Sequence, residues 1–399
     1  MEKKYEDMWL SSLSKRSKRL QSSVIRELLK VTQYPEVVSF AGGLPAPEFF
    51  PKREIEEACR HLIPRNGEKM LQYGATEGVP ELKEFLSEKM RKYGVPSEPE
   101  NILLTSGSQQ ALDLIGKVFI NEGDRVLVSE PTYLGALQAW WLYGPEFVTC
   151  GMDEDGVIIS EVEDVLKEGP IKFMYMLPNF HNPAGVTISL ERRKRLVQLA
   201  EKYNTFIVED DPYGELRYEG EDITPIIVLK KERVIYLSTF SKTLCPGFRL
   251  GWIVAPKLTL KKIIQAKQGA DLHTGTFVQY IVNDLCQRGI LKAHVAKLKK
   301  VYKERRNVML ESLEKYFPKE ARWTYPKGGL FLWVTLPEGT DTEVLFEKGK
   351  KNNVAFVPGL AFYPNEKGRN TMRLNFSNTP PDRIREGIKR LGEMLKEEL

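Results

Sequence analysis

Between residues 100 and 255 the chain repeats one hydrophobic pattern: a short apolar run rich in β-branched residues, a turn, then a stretch whose apolar positions recur every three to four residues. The runs are Ile102–Thr105, Arg125–Ser129, Ile171–Leu177, Thr205–Glu209, Val234–Ser238 and Leu250–Val254. The intervening helical patterns include Gln110–Ile120, Ser160–Lys167 and Leu190–Tyr203. Strands of four to eight residues alternating with longer amphipathic helices predict an α/β fold, with a mostly parallel central sheet covered by helices. In such sheets ligands bind beyond the carboxyl ends of the strands.

After Pro256 the pattern changes. Two long helical stretches follow, Phe277–Arg288 and Leu291–Tyr316, then strand-like runs at Gly329–Thr335, Val354–Val357 and Met372–Phe376, and a closing amphipathic helix from Pro381. This predicts a large domain over 46–290 and a smaller α+β domain over 291–399. Residues 1–45, with a helix near Ser22–Thr32 and the turn Ala41-Gly42-Gly43-Leu44-Pro45, are expected to join the smaller domain and leave a cleft between the halves.

Composition narrows the chemistry. With 399 residues, 42% hydrophobic, 28% charged and a net charge of only +5, the chain is globular, and its interleaved Lys and Glu argue against nucleic-acid binding. No apolar run approaches the roughly 20 residues that span a bilayer, so no membrane association is expected. The first residues, MEKKYEDMWLSSLSKRSKRL, lack the apolar core of a secretory signal. Cys59, Cys150, Cys245 and Cys286 stand far apart and read as reduced cytoplasmic thiols. None of the four histidines is paired at i, i+4, so no metal site is expected and the chemistry calls for an organic cofactor.

The unusual residues follow the strands. The run ending at Ser238 continues Thr239-Phe240-Ser241-Lys242, with Arg249 seven positions further on. Hydroxyls and an arginine make a phosphate cradle, and a desolvated lysine amine can form a Schiff base. Another run delivers Glu209-Asp210-Asp211-Pro212-Tyr213 to its end. One acid there can meet a ligand in the crevice, while the second caps the next turn. A third strand enters Pro178-Asn179-Phe180-His181-Asn182-Pro183-Ala184-Gly185, a turn held by two prolines and a glycine. A fourth enters Ser106-Gly107-Ser108-Gln109 and opens a helix, whose free N–H groups and dipole favour phosphate. The next ends in Glu130-Pro131-Thr132-Tyr133, offering a ring for stacking.

The ordered set GSQQ, EPTY, NFHNPAG, EDDPY, SKTLCPGFRLG and MRLNFS resembles that of the fold-type I pyridoxal 5′-phosphate (PLP) aminotransferases, over nearly the whole chain. Within that family the segments SSVIRELLK, SFAGGLPAPEFFP, LQYGATEG, KQGADLHT and FVPG are similar to those of the branch holding 2-aminoadipate and kynurenine aminotransferases. The resemblance implies Lys242 as the Schiff-base lysine and Asp210 as the partner of the pyridine nitrogen. It implies Asn182 and Tyr213 on the phenolic oxygen and Tyr133 stacked on the ring. Ser108, Gln109, Thr239, Ser241 and Arg249 would hold the phosphate. Arg373 would clamp the substrate α-carboxylate, with Asn182 and Gly43 lining the substrate pocket. Tyr73 would reach the phosphate of a neighbouring subunit, implying a homodimer with shared active sites. Arg26 would face the substrate side chain and favour 2-aminoadipate or glutamate; movement of its helix would admit leucine or aromatic donors. The amino acceptor is expected to be a 2-oxo acid such as 2-oxoglutarate.

The chain departs from the family's commoner pattern at Thr239 (often serine), Ala184 (often threonine) and Cys245 (often serine or another small residue). Two other readings share the scaffold: a PLP lyase or decarboxylase, and a PLP-binding transcription regulator. The regulator would need an N-terminal helix-turn-helix domain, for which the ~25 residues before the aminotransferase pattern leave no room.

Overall fold

The computed structural model describes residues 2–20, 36–95 and 97–399. The helix expected near 22–32, and Arg26 within it, lie outside the described residues.

Fourteen strands form three sheets among the described residues. A two-residue strand β1 (Val38–Ser39) precedes the eight strands of the main sheet: β2 (Ile102–Thr105), β3 (Arg125–Glu130), β4 (Glu146–Asp153), β5 (Gly156–Val157), β6 (Phe173–Met176), β7 (Ile207–Asp210), β8 (Val234–Thr239) and β9 (Gly251–Val254). Their order is β2-β9-β8-β7-β6-β3-β4-β5. Pairs β8·β7, β7·β6, β6·β3 and β3·β4 are parallel, whereas β9 is antiparallel to both β8 and β2. Because β9 reverses between them, β2 and β8 run the same way. The carboxyl ends of β2, β3, β6, β7 and β8 therefore meet at one edge of the sheet, where β9 begins.

Every residue of β2, β6, β7, β8 and β9 is buried. Helices cover both faces, so these strands read as continuous apolar runs rather than alternating ones. One face packs Leu103, Val128, Tyr175, Val208, Leu237 and Ile253, and the other Leu104, Leu127, Met174, Ile207, Tyr236 and Trp252. The sequence pattern did not register β4 or the helices Lys52–Leu71, Pro80–Lys92, Leu134–Trp141 and Lys257–Asp271. Strand β4 is exposed at both ends and mostly half-buried between them, and Lys52–Leu71 carries an internal Pro64, so neither has a clean periodicity.

The second sheet comprises β10 (Arg322–Trp323), β11 (Phe331–Thr335), β13 (Val357–Pro358) and β14 (Thr371–Asn375), in the antiparallel order β10-β11-β14-β13. Strand β12 (Val354–Ala355) pairs in parallel with β1 and ties residues 38–39 to the C-terminal part of the chain. The 27-residue helix Ile290–Tyr316 lies against the closing helix Pro381–Glu398. No described helix is long and apolar enough to cross a membrane.

Candidate active site

A cavity of about 910 Å³ opens at the carboxyl edge of the main sheet, bounded on its far side by Phe331 and Arg373 of the smaller sheet. Twelve of the fourteen residues singled out from the sequence line it: Gly43, Ser108, Gln109, Tyr133, Asn182, Asp210, Tyr213, Thr239, Ser241, Lys242, Arg249 and Arg373. The other two differ. Tyr73 projects from the surface, 79% exposed, with its ring edge-on to His273 at 5.8 Å. Arg26 lies outside the described residues.

Lys242 follows β8, and its Nζ donates to Gly43 O at 2.8 Å, joining the N-terminal turn to the sheet edge. Burial, with the Arg373 and Arg249 charges nearby, brings its ammonium down from 10.5 to about 8. Asp210 ends β7. Burial pushes its carboxyl up from 3.8 to about 7, against the hydrogen bond from Tyr175 and with the help of the Asp211 charge. Its Oδ1 is buried and has no hydrogen-bond partner in the protein. Asp211 turns away and accepts from Gly214 N at 2.9 Å and Asn179 Nδ2 at 3.0 Å, the capping role that its place after the strand predicts.

The cradle expected for a phosphate is made of residues from two loops. Gly107 caps the helix Ser108–Phe119 at φ 78°, and a β-carbon there would stand 2.6 Å from an Arg249 terminal nitrogen. Only glycine satisfies both demands. Ser108 Oγ is buried without a partner at the first turn of this helix. Arg249, itself at φ 47°, reaches Ser241 Oγ at 3.5 Å. Thr239 Oγ1 lies 2.9 Å from Leu250 O and accepts from Ser241 N at 3.1 Å, so its hydroxyl braces the loop. Gln109 Nε2 donates to Gly135 O at 2.8 Å, linking the cradle to the helix that begins beside Tyr133. The Tyr133 ring covers that helix so closely that a β-carbon at Gly135 would fall 2.4 Å from its Cζ.

On the opposite wall Arg373, 2% exposed on β14, donates to Asn182 Oδ1 at 2.8 Å and Ala41 O at 2.7 Å. Its guanidinium lies 4.3 Å from the centre of the Phe331 ring and 5.0 Å from that of Phe362, and its Nε has no partner. Tyr213 stands beside Asn182, with its ring edge-on to Phe331 at 5.9 Å. A planar cation set between rings, with one N–H unused, suits a carboxylate.

Over residues 48–391 the chain matches the family described as aminotransferase class I and II. It belongs to that family.

The chain is 49% identical to aromatic-amino-acid aminotransferase 1 of Thermococcus litoralis, over 97% of this chain and 94% of that one. It is 45% identical to 2-aminoadipate transaminase of Thermus thermophilus, over 97% of each. Among solved structures, kynurenine aminotransferase of Pyrococcus horikoshii, in complex with PMP and with KYN as substrate and KYA as product, superposes with a TM-score of 0.94. It is 46% identical and covers 98% of both chains. The fold is thus that of the fold-type I aminotransferases, as the ordered motifs lead one to expect.

Sequence reasoning passed over several residues of this site. Leu177, Gln138, Trp141 and Phe331 line the cavity without any chemical signature to mark them. His181, 1% exposed, occupies NFHNPAG without a role read from the motif. Burial holds its imidazole neutral, down at about 3. Ala184 N–H donates to its Nδ1 at 3.3 Å, so Nε2 carries the proton and donates to Ser129 Oγ at 3.0 Å; that hydroxyl donates in turn to Pro131 O at 2.7 Å. The chain of bonds ties the Asn182 turn to the Tyr133 turn. Tyr175, inside the apolar run of β6, also went unnoticed. A buried tyrosine's need for a hydroxyl partner is the one signal that could have found it.

Proposed function

We propose that this protein transfers amino groups between L-amino acids and 2-oxo acids with PLP held on Lys242. The observation that carries the reading is the company Lys242 keeps. One cavity is lined by Lys242, Asp210, Arg373 and, at a helix N-terminus, Ser108, and three of these carry a buried atom without a partner: Asp210 Oδ1, Ser108 Oγ and Arg373 Nε. Each of those orphaned polar atoms matches a part of the cofactor–substrate pair: a pyridine nitrogen, a phosphate and an α-carboxylate. The residues present fit the group.

When bound, PLP supplies an electron sink for the bond broken at the amino acid's α-carbon. Lys242 Nζ holds it covalently, and Asp210 Oδ1 accepts from the ring nitrogen. Ser108, Gln109, Ser241 and Arg249 hold the phosphate, with Thr239 shaping their loop. Asn182 and Tyr213 hold the phenolic oxygen, and Tyr133 covers the ring face. Arg373 fixes the substrate carboxylate while Gly43 leaves room beside it. Lys242 Nζ, once its amine is free and neutral, would take the substrate's α-proton, and its flexible four-carbon stem would let the same nitrogen deliver that proton to the cofactor's aldehyde-derived carbon.

The donors we favour are 2-aminoadipate, glutamate and leucine or aromatic amino acids, with 2-oxoglutarate as acceptor, in keeping with the named relatives. We place the enzyme in the cytoplasm, where its four free thiols stay reduced. The functional unit is a homodimer in which the exposed Tyr73 of each subunit completes the other's phosphate site, and the cleft divides a domain over 46–290 from a smaller one made of 291–399 and the first 45 residues.

Lys242→Ala tests the reading. The variant should lose the visible absorption of the imine between cofactor and protein and at least about a thousandfold in turnover, measured as the rate of 2-oxo acid formation in the presence of an amino acceptor. Turnover near the wild-type level would remove Lys242 from the mechanism. Product formed without any acceptor would point instead to a lyase or decarboxylase.

A further inference from the structure

Asp210 has two carboxylate oxygens, and the protein satisfies one of them. Tyr175 Oη donates to Oδ2 at 2.8 Å, while Oδ1 remains without a partner. The pleat of the sheet accounts for the contact. Tyr175 on β6 pairs with Val208 on β7, two residues before Asp210, so all three side chains point to one face and the long phenol reaches the diagonal position.

The donor is held in place. Tyr175 is 1% exposed, and the Trp140 ring stands edge-on to it at 5.1 Å. Trp140 is fixed in turn by its Nε1, which donates to Leu112 O at 2.8 Å. Burial, reinforced by the Asp210 charge, raises the Tyr175 hydroxyl well above its ordinary value of 10.0, so it stays protonated and can only donate to a carboxylate. A permanent donor against one oxygen has two effects. It stops the carboxyl group from rotating, which leaves the other oxygen, on a residue that lines the cavity, as the one without a partner. It also draws charge from the carboxylate, making Asp210 a weaker competitor for a proton shared with a ligand nitrogen.

We propose that Tyr175 is a positioning residue of the active site: by holding Oδ2 it aims Oδ1 at the pyridine nitrogen and keeps the shared proton on the ring rather than on the carboxylate. The proposal rests on the reading of Asp210 given above and adds to it the residue through which the protein sets that contact.

The test compares two ligands on the full-length chain freed of cofactor and then reconstituted: PLP, and its carbocyclic analogue in which the ring nitrogen is replaced by C–H. Tyr175→Phe keeps the aromatic packing against Trp140, and an unchanged melting temperature of the analogue-loaded protein confirms an intact fold. The expected result is that Tyr175→Phe weakens PLP by about tenfold or more, the scale of a hydrogen bond to a charged group, and leaves the analogue's dissociation constant unchanged. In an Asp210→Asn background Tyr175→Phe should no longer alter the ratio of the two constants. Equal weakening of both ligands, or of neither, would overturn the proposal. If Asp210→Asn itself leaves the ratio at its wild-type value, Asp210 does not meet the ring nitrogen, and it is the reading of the site that fails.

Discussion

Burial moves Lys242 and Asp210 toward the same protonation range from opposite ends, and both become reactive near neutrality. The Lys242 ammonium falls to about 8, so its neutral amine predominates above that pH. In cofactor-free protein, trinitrophenylation or acylation of Lys242 should rise through a midpoint near pH 8, while exposed lysines follow at about 10.4. Peptide mapping of the modified residue against pH reads this directly. A midpoint shared with the surface lysines would show that the amine is not desolvated. Asp210 behaves in the opposite sense. Its folded-state pKa is raised from 3.8 to about 7, so its contribution to stability is complete below 3.8 and is lost as pH climbs through about 7. In the cofactor-free chain that loss is on the order of 4 kcal/mol. Asp210→Asn carries no such charge. Its cofactor-free form should therefore melt above wild type at pH 8, with the gap closing toward pH 4. A wild-type advantage at pH 8 would mean that the carboxylate is better solvated than its burial indicates.

At the scale of elements, the site is assembled by turns that follow parallel strands, and the bonds between turns matter as much as the turns themselves. The His181 chain couples the loop bearing Asn182 to the loop bearing Tyr133. Replacing His181 by Phe fills the space but leaves the Ala184 N–H without an acceptor. It should cost about 1–3 kcal/mol by denaturant titration and weaken cofactor binding as the two loops lose their common register. A stable variant with unchanged cofactor affinity would reduce His181 to filler. Gly107→Ala tests the cradle in the same way. It strains the φ of 78° and drives a methyl into Arg249, so affinity for PLP should fall at least tenfold while the far side of the sheet is untouched. The recurring motifs were legible because each sits directly after a strand, where chain direction and the next turn leave few options. The Lys242, Asp210 and Asn182 positions fall out of that logic. Tyr175 did not, because its partner lies 35 positions away on the neighbouring strand, and only the strand register brings them together.

At the scale of the whole molecule, Arg373 reaches the cavity from the second sheet, and Gly43 arrives from the N-terminal segment that β1 pins to β12. The proposed homodimer would extend this sharing across subunits. If Tyr73 completes the partner's site, mixing the Lys242→Ala and Tyr73→Ala proteins and allowing subunits to exchange should restore activity to about a quarter of wild type, since half of the dimers then hold one intact site of two. No recovery after verified exchange would place Tyr73 in its own subunit's surface chemistry only.

The amino-acid sequence alone determined the strand–helix alternation, the parallel sheet and the chemical identity of the residues at its edge. These depend on local patterning and on short motifs whose parts are covalently close. Tertiary structure alone decided which oxygen of Asp210 is left free, that His181 is neutral and links two loops, and that Thr239 braces the cradle through Leu250. Those outcomes depend on burial and on hydrogen bonds that only the folded strands and loops bring together, with partners 35 positions apart for Asp210, 52 for His181 and 11 for Thr239.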